Sequence, residues 1–397
     1  MKDNLATTVK KKPLIILSLS HLAIDINQGA LPALLPFFKE SLNLSYALAG
    51  AVILFSNLSS SIIQPLFGYI SDRKQLKWIL PLSPLIAGSG IALSGFTPNY
   101  LSLILLVIIS GIGVALFHPE GFKVAYSFTG AKKATGVSIF AFGGSMGLAL
   151  GPIIAITACT YFGLKGTPIL IIPGFLIFLL IILYKDVLNK PEGDIKDKEK
   201  KEKYEGSITN SQKVSFILLA CLATIRAWTQ FGMATYIPFY YINYLKGNPI
   251  YAGKLATTFL VSGAVGTLIG GPVADHLGHK RFLLATLFLS SILLSLFFYT
   301  SGYVTFLLLA ASGMILISSF GTTTVMGQIL LPKHLGMASG IMVGLTISAG
   351  GLGLTLLGAI ADRWGVPLTI RIITLLPLIA FLMGLFVKYP KKTGGSE

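Results

Sequence analysis

Charge is scarce in this chain: Asp, Glu, Lys and Arg make up 12% of its 397 residues, whereas 53% are hydrophobic. Soluble domains carry about 25% charged residues, so a water-exposed globular fold is excluded and the bilayer is the expected solvent. Cysteine is nearly absent. Cys159 and Cys221 both fall in apolar runs, which rules out a disulfide framework or a thiolate metal site and leaves two small packing residues. Reactive constellations are missing too. His21 and Asp25 are spaced H-x3-D rather than H-x4-D, no H-E-x-x-H zinc spacing occurs, and no Ser or Cys nucleophile motif is present. An enzyme is not expected, and neither a cofactor nor a metal is implied. A receptor or scaffold would display a sizeable polar domain, yet the longest polar stretch is Asp186 to Gln212.

What remains is long apolar runs. At roughly 20 residues per crossing, spans are expected near 13–38, 46–70, 78–97, 100–127, 134–162 and 167–185, then 213–244, 250–275, 281–300, 304–329, 336–362 and 366–388. This is an all-α integral membrane protein of twelve transmembrane helices, in two six-helix bundles over 1–185 and 213–397 joined by a cytoplasmic linker over 186–212. The basic N-terminus resembles the start of a signal peptide, but the apolar stretch behind it is too long and lacks a cleavage pattern, so it is expected to stay as the first span. With both termini and the linker cytoplasmic, 24 of the 31 Lys and Arg lie inside or at the inner ends of spans, six lie outside or at the outer ends, and Arg226 is left deep within a span. That asymmetry sets the orientation in a cell's inner or plasma membrane. It also dismisses the nucleic-acid partner that a net charge of +16 suggests, because the basic residues are dispersed over many loops.

The halves repeat. GYISDR, Gly68 to Arg73, recurs as GPVADH, Gly271 to His276, with the Gly and Asp of each copy displaced by 203 residues. Parallel repeats of six spans build alternating-access transporters, whose substrate sites lie where the repeats meet. On these residues the chain resembles the major facilitator superfamily, whose loop after the second span carries a Gly-x-x-x-Asp-Arg-x-Gly-Arg motif. Gly68, Asp72 and Arg73 match it in the first copy, with Gln75 in place of the second glycine, and Gly271, Asp275, Gly278, Lys280 and Arg281 match it in the second. A third fragment, GAIADRWG, follows the eleventh span. SLSHLAIDINQG, QPLFGYISD, FHPEGFKVA, SIFAFGGSMGLALGP and, in the second half, IRAWTQFG are similar to the fosmidomycin-resistance branch of drug-efflux carriers. The resemblance implies proton-coupled export of small molecules and makes Asp72 and Asp275 latches of a cytoplasmic gate.

Within the stretch SHLAIDINQG, His21 and Asp25 lie one turn apart on one helix face, and Gln28 follows on nearly the same stripe. Such a polar seam is expected to face a central cavity. His118 and Glu120 flank Pro119, which frees backbone carbonyls and bends its helix. Buried carboxylates are expensive and are the groups that bind and release protons. Asp25 and Glu120, with His21 tuning Asp25, are therefore the expected proton-coupling residues. Displaced by 203, Arg226 falls at Ala23, near the depth of Asp25; there it is expected either to pair with Asp25 or to receive an anionic substrate such as a phosphonate or carboxylate. Gln28, His118, Trp228, Phe231 and Tyr236 complete the expected substrate site. Gly143, Gly147 and Gly151 form a stripe ending at Pro152, a helix-packing device that the resemblance associates with exporters; ISAGGLGLTLLG, Ile347 to Gly358, is its counterpart.

The expected function is a monomeric secondary active transporter whose partners are protons, a small-molecule substrate and the lipid bilayer. It exports small amphipathic or anionic compounds, such as drugs or phosphonates, by alternating access. The alternative is proton-coupled uptake of an organic anion.

Overall fold

The computed structural model describes residues 9–44, 46–73, 78–189, 209–245 and 249–390. Among them there is no strand, and each expected span is helical. The helices are α1 (Lys11–Ser41), α2 (Tyr46–Asn57), α3 (Gln64–Arg73), α4 (Ile79–Ser94), α5 (Tyr100–Ser127), α6 (Lys133–Phe162), α7 (Ile172–Leu183) and α8 (Lys185–Asn189). The second half contributes α9 (Asn210–Phe239), α10 (Pro249–Leu277), α11 (His279–Leu296), α12 (Tyr303–Leu330), α13 (Leu335–Ser339), α14 (Thr346–Trp364) and α15 (Val366–Leu385). Of the expected linker, residues 190–208 lie outside the described residues, as does Gln75.

Ten helical runs among the described residues are long and apolar enough to cross a membrane, against the twelve spans expected. The difference has two physical causes. α4 has 16 residues, about 24 Å at 1.5 Å per residue, which is short of a hydrocarbon core of about 30 Å. The expected fifth and sixth spans, α6 and α7, are joined end to end by the 3₁₀ segment Gly163–Ile171 and so count as one run of 51 residues. The chain nevertheless turns back at Gly163 (φ +59°), where a Cβ on Gly166 would collide with the Ala158 carbonyl oxygen, and α6 and α7 are separate helices.

Local chemistry sets the helix ends. Asn99 caps α5 by accepting from the Ser102 N–H at 3.0 Å. Thr209 and Gln212 form a reciprocal capping box that opens α9. Gly278 and Gly365 precede α11 and α15 at φ +91° and +85°, a backbone region in which a side chain is strained. Each follows an aspartate by three residues, which explains why the motif carries glycine there. Three π-helical segments, Leu58–Ile62, Tyr240–Tyr244 and Gly340–Leu345, interrupt the regular turns.

The chain divides into two compact units. Unit 1 comprises Met1–Ala131, Ile139–Lys203 and Lys333–Leu345; unit 2 comprises Lys132–Ser138, Tyr204–Pro332 and Thr346–Glu397. Each thus carries a short segment from the other half of the sequence. A cluster including Leu34, Phe38, Val52, Leu103 and Ala155 packs unit 1. Elsewhere the usual inside-out pattern is reversed. Leu101, Leu183, Leu307 and Leu352 are each more than two-thirds exposed, while Asp25, Gln64, His118 and Arg226 are buried. Lipid tails solvate apolar side chains and leave polar ones to partner each other, which accounts for the reversal.

Candidate functional site

In unit 1 the i, i+4 spacing of α1 turns His21 and Asp25 to the same side. Asp25 Oδ2 lies 3.3 Å from His21 Nε2, and Oδ1 lies 3.1 Å from Nε2 of His118 on α5. All three residues are at most 4% exposed. The far side of each imidazole is also engaged: His21 Nδ1 is 3.0 Å from the Phe140 carbonyl oxygen, and His118 Nδ1 is 3.3 Å from Gln64 Nε2. The His21 ring stacks on Phe140 at 4.4 Å, with Phe117 and Phe122 around it. Gln28 sits one turn beyond, 3.5 Å from the Ser60 hydroxyl.

The glycines of α6 make this packing possible. Side chains at Gly143, Gly147 and Gly151 would collide with the α1 backbone near Ser18, Leu22 and Ile26, so α1 and α6 approach closely along the stripe that ends at Pro152. Gly144 matters most: a Cβ there would lie 2.5 Å from His21 Nε2 and 2.7 Å from Asp25 Oδ2.

Glu120 lies apart from this cluster. It pairs with Lys123 at 2.8 Å and accepts from the Ser71 hydroxyl, while Lys123 also donates to the Ser71 carbonyl at 2.9 Å. Ser71 adjoins Asp72, whose oxygens accept the N–H groups of Gly336 and Met337 at 2.9 and 3.1 Å. Gly68 faces the same segment, where a Cβ would meet the Gly336 backbone. Arg73 is exposed, its guanidinium over the Tyr69 ring at 4.2 Å.

The second copy of the motif works the same way in unit 2. Asp275 accepts from the N–H groups of Ala134 and Thr135 at 3.0 and 2.7 Å and from the Thr135 hydroxyl at 2.6 Å. His279 Nε2 adds a contact at 3.1 Å. A Cβ at Gly271 would lie 2.6 Å from the Ala134 carbonyl oxygen. Lys280 donates to the carbonyls of Leu385 and Val387, and Arg281 is exposed.

Arg226 on α9 is 2% exposed. Its Nη1 donates to Gln230 at 3.4 Å, its guanidinium sits 5.4 Å from the Phe320 ring centroid, and its Nε has no hydrogen-bond partner among the described residues. Within unit 2 no described carboxylate forms an ion pair with it. The pairing with Asp25 that the repeat register suggests is not needed to satisfy Asp25, because both of its oxygens already face imidazoles in unit 1. Trp228 donates its indole N–H to the Ala349 carbonyl at 2.5 Å, and its ring and that of Phe231 seat against Gly353 and Gly350 of α14. Tyr236 is buried next to Gly358. Trp228 also lines an apolar cavity of about 450 Å³ with Leu356, Ile360, Arg363 and Trp364.

Sequence reasoning missed Gln64, Ser71, Phe140 and Gly144. A glutamine before a proline inside an apolar run, after three serines, was the available signal for Gln64.

The sequence profile of the Major Facilitator Superfamily matches residues 17–253 and 219–397. The chain is 30% identical over 371 residues to the Fosmidomycin resistance protein of Escherichia coli, covering 92% of this chain and 90% of that one. It is also 30% identical over 372 residues to an uncharacterized MFS-type transporter of Bacillus subtilis, covering 93% and 91%. The crystal structure of the E. coli fucose:proton symporter FucP superposes with a TM-score of 0.73 at 15% identity, over 95% of this chain and 99% of that one, a likeness of fold. With the repeated Gly-x-x-x-Asp motif, the polar interior and these matches together, the chain belongs to the Major Facilitator Superfamily and is a multi-pass membrane transporter.

Proposed function

We propose that this protein is a proton-coupled exporter of small amphipathic or anionic compounds, drugs and phosphonates among them. The carrying observation is a buried pair of opposite charges at nearly the same register of the two repeats. Asp25 is closed over by two histidines, whereas Arg226 keeps an unengaged N–H. A buried carboxylate among imidazoles is suited to take up and release a proton. A buried guanidinium lacking a carboxylate partner in its unit is suited to an oxyanion, which it grips through parallel N–H bonds. The name of the Fosmidomycin resistance protein supports export of such compounds.

In this reading the bundles over 1–185 and 213–397 alternate access, and the monomer is the working unit. The N–H bonds to Asp72 and Asp275 hold a cytoplasmic gate that opens when they break. Glu120, tied through Ser71 to the Asp72 turn, serves as a second proton-sensitive point. Both termini face the cytoplasm.

Everted membrane vesicles test the proposal with a panel of drugs and organic acids, including phenylphosphonate. Accumulation that depends on an imposed proton gradient and is lost in Arg226→Gln is expected. Accumulation in right-side-out vesicles alone identifies uptake instead, and transport indifferent to the gradient contradicts the coupling.

A further inference from the structure

Hydrogen-bond directions locate the proton in the Asp25 cluster. The Ser60 carbonyl oxygen can only accept, so the Gln64 amide nitrogen points at it, at 2.5 Å. The same NH₂ group faces His118 Nδ1 at 3.3 Å. That makes Nδ1 the bare ring nitrogen and puts the ring hydrogen on Nε2, where it is donated to Asp25 Oδ1. His118 is thus a neutral donor of fixed tautomer. His21 is set the other way round. Its Nδ1 faces the Phe140 carbonyl oxygen and must carry hydrogen, and stacking on Phe140 holds the ring plane. Its Nε2 then meets Asp25 Oδ2 with either a second ring proton or a lone pair. A lone pair against a carboxylate oxygen in a buried site repels. The contact is attractive only with a proton between the two atoms.

We propose that the exchangeable proton is the one shared by His21 Nε2 and Asp25 Oδ2, and that Gln64 is the positioning residue that confines titration to this pair by locking His118 as a neutral donor. This rests on the proton-coupled reading above. Among the described residues, the groups facing the pair are few: α1 supplies His21, α5 supplies His118, α3 supplies the uncharged Gln64 through His118, and α6 presents Gly144 and Gly147. Glu120 and Lys123 are engaged with each other and with Ser71. On unloading, the proton passes to a water molecule, leaving a neutral imidazole and a carboxylate. Their lone pairs repel at 3.3 Å, so proton loss drives His21 and Asp25 apart while His118 keeps its hold on Oδ1. The donor atoms of His21, Asp25 and His118 also lie within 4.8 Å of one another, but the Nε2 hydrogen of His118 leaves no lone pair there for a metal ion.

The test is ¹⁵N NMR of histidine-labelled full-length protein in nanodiscs from about pH 5 to pH 9, assigned with single histidine variants. His118 is expected to keep the Nε2–H tautomer throughout, while the His21 signals move with pH. Gln64→Leu is expected to convert His118 to a mixture of tautomers that titrates, and to shift the pH profile of gradient-driven transport. A wild-type His118 that titrates alongside His21 overturns the proposal, and so does a Gln64→Leu variant with an unchanged His118 spectrum and pH profile. Absence of substrate-driven proton movement in wild-type vesicles overturns the coupling reading itself. The two failures are distinguishable because the tautomer spectrum does not depend on transport.

Discussion

The first helices of the two repeats place opposite charges at almost the same register and surround them differently. On α1, Asp25 has both oxygens engaged by imidazoles, with the glycines of α6 pressed against the α1 backbone. On α9, Arg226 has one weak bond to Gln230 and an idle Nε, and the glycines of α14 accept the rings of Trp228 and Phe231 instead of backbone. One repeat is closed around its charge and the other leaves its charge underused. A site that satisfies its carboxylate internally has room only for a proton, whereas a guanidinium with a spare N–H calls for an anion from outside.

The largest expected effect tests the closed side. Asp25→Asn keeps the shape but removes the group that shares a proton, so gradient-driven transport is expected to be abolished while substrate exchange across vesicles persists. Normal uphill transport by this variant would remove Asp25 from the proton route.

A smaller effect sharpens the contrast between the two glycine stripes. Gly144→Ala places a methyl against two hydrogen-bonded side chains that cannot retreat, at an overpacking cost of about 1–3 kcal/mol. A comparable intrusion in the second half, Gly350→Ala, meets the ring of Phe231 at 2.7 Å, a side chain with more freedom to turn. Thermal unfolding in nanodiscs should show the larger drop in Tm for Gly144→Ala. Equal drops would mean that the two stripes are packed alike.

Much of this was legible in the sequence. Apolar run lengths locate the helices because lipid demands them, and the i, i+4 spacing of His21 and Asp25 puts both on one face. The span count was less legible. α4 is short, and the turn between α6 and α7 is itself a 3₁₀ segment, and neither is visible as a break in hydropathy. Glu120 is expected beside Asp25 because it is a carboxylate deep within a span, yet at i, i+2 it points away from His118 and meets Ser71 and Lys123. Gln64 was missed for a subtler reason. The π-helical segment Leu58–Ile62 widens the turn just before it, so regular helical spacing does not carry through to Gln64. The hydrogen-bond partners of Asp72 and Asp275 come from residues 264 and 141 positions away, a pairing that no local pattern encodes.

The central claim is that a proton on the His21–Asp25 pair and an anion on Arg226 are linked. It is tested most directly by measuring proton release on binding of phenylphosphonate to the full-length protein in nanodiscs, with a pH indicator. Linkage is reciprocal. The account predicts proton release by wild type and binding without release by Asp25→Asn. For Arg226→Gln it predicts binding weakened by about 10- to 100-fold, the worth of one charge-assisted hydrogen bond of roughly 1.5–3 kcal/mol. Undiminished binding by Arg226→Gln, or undiminished proton release by Asp25→Asn, would contradict it.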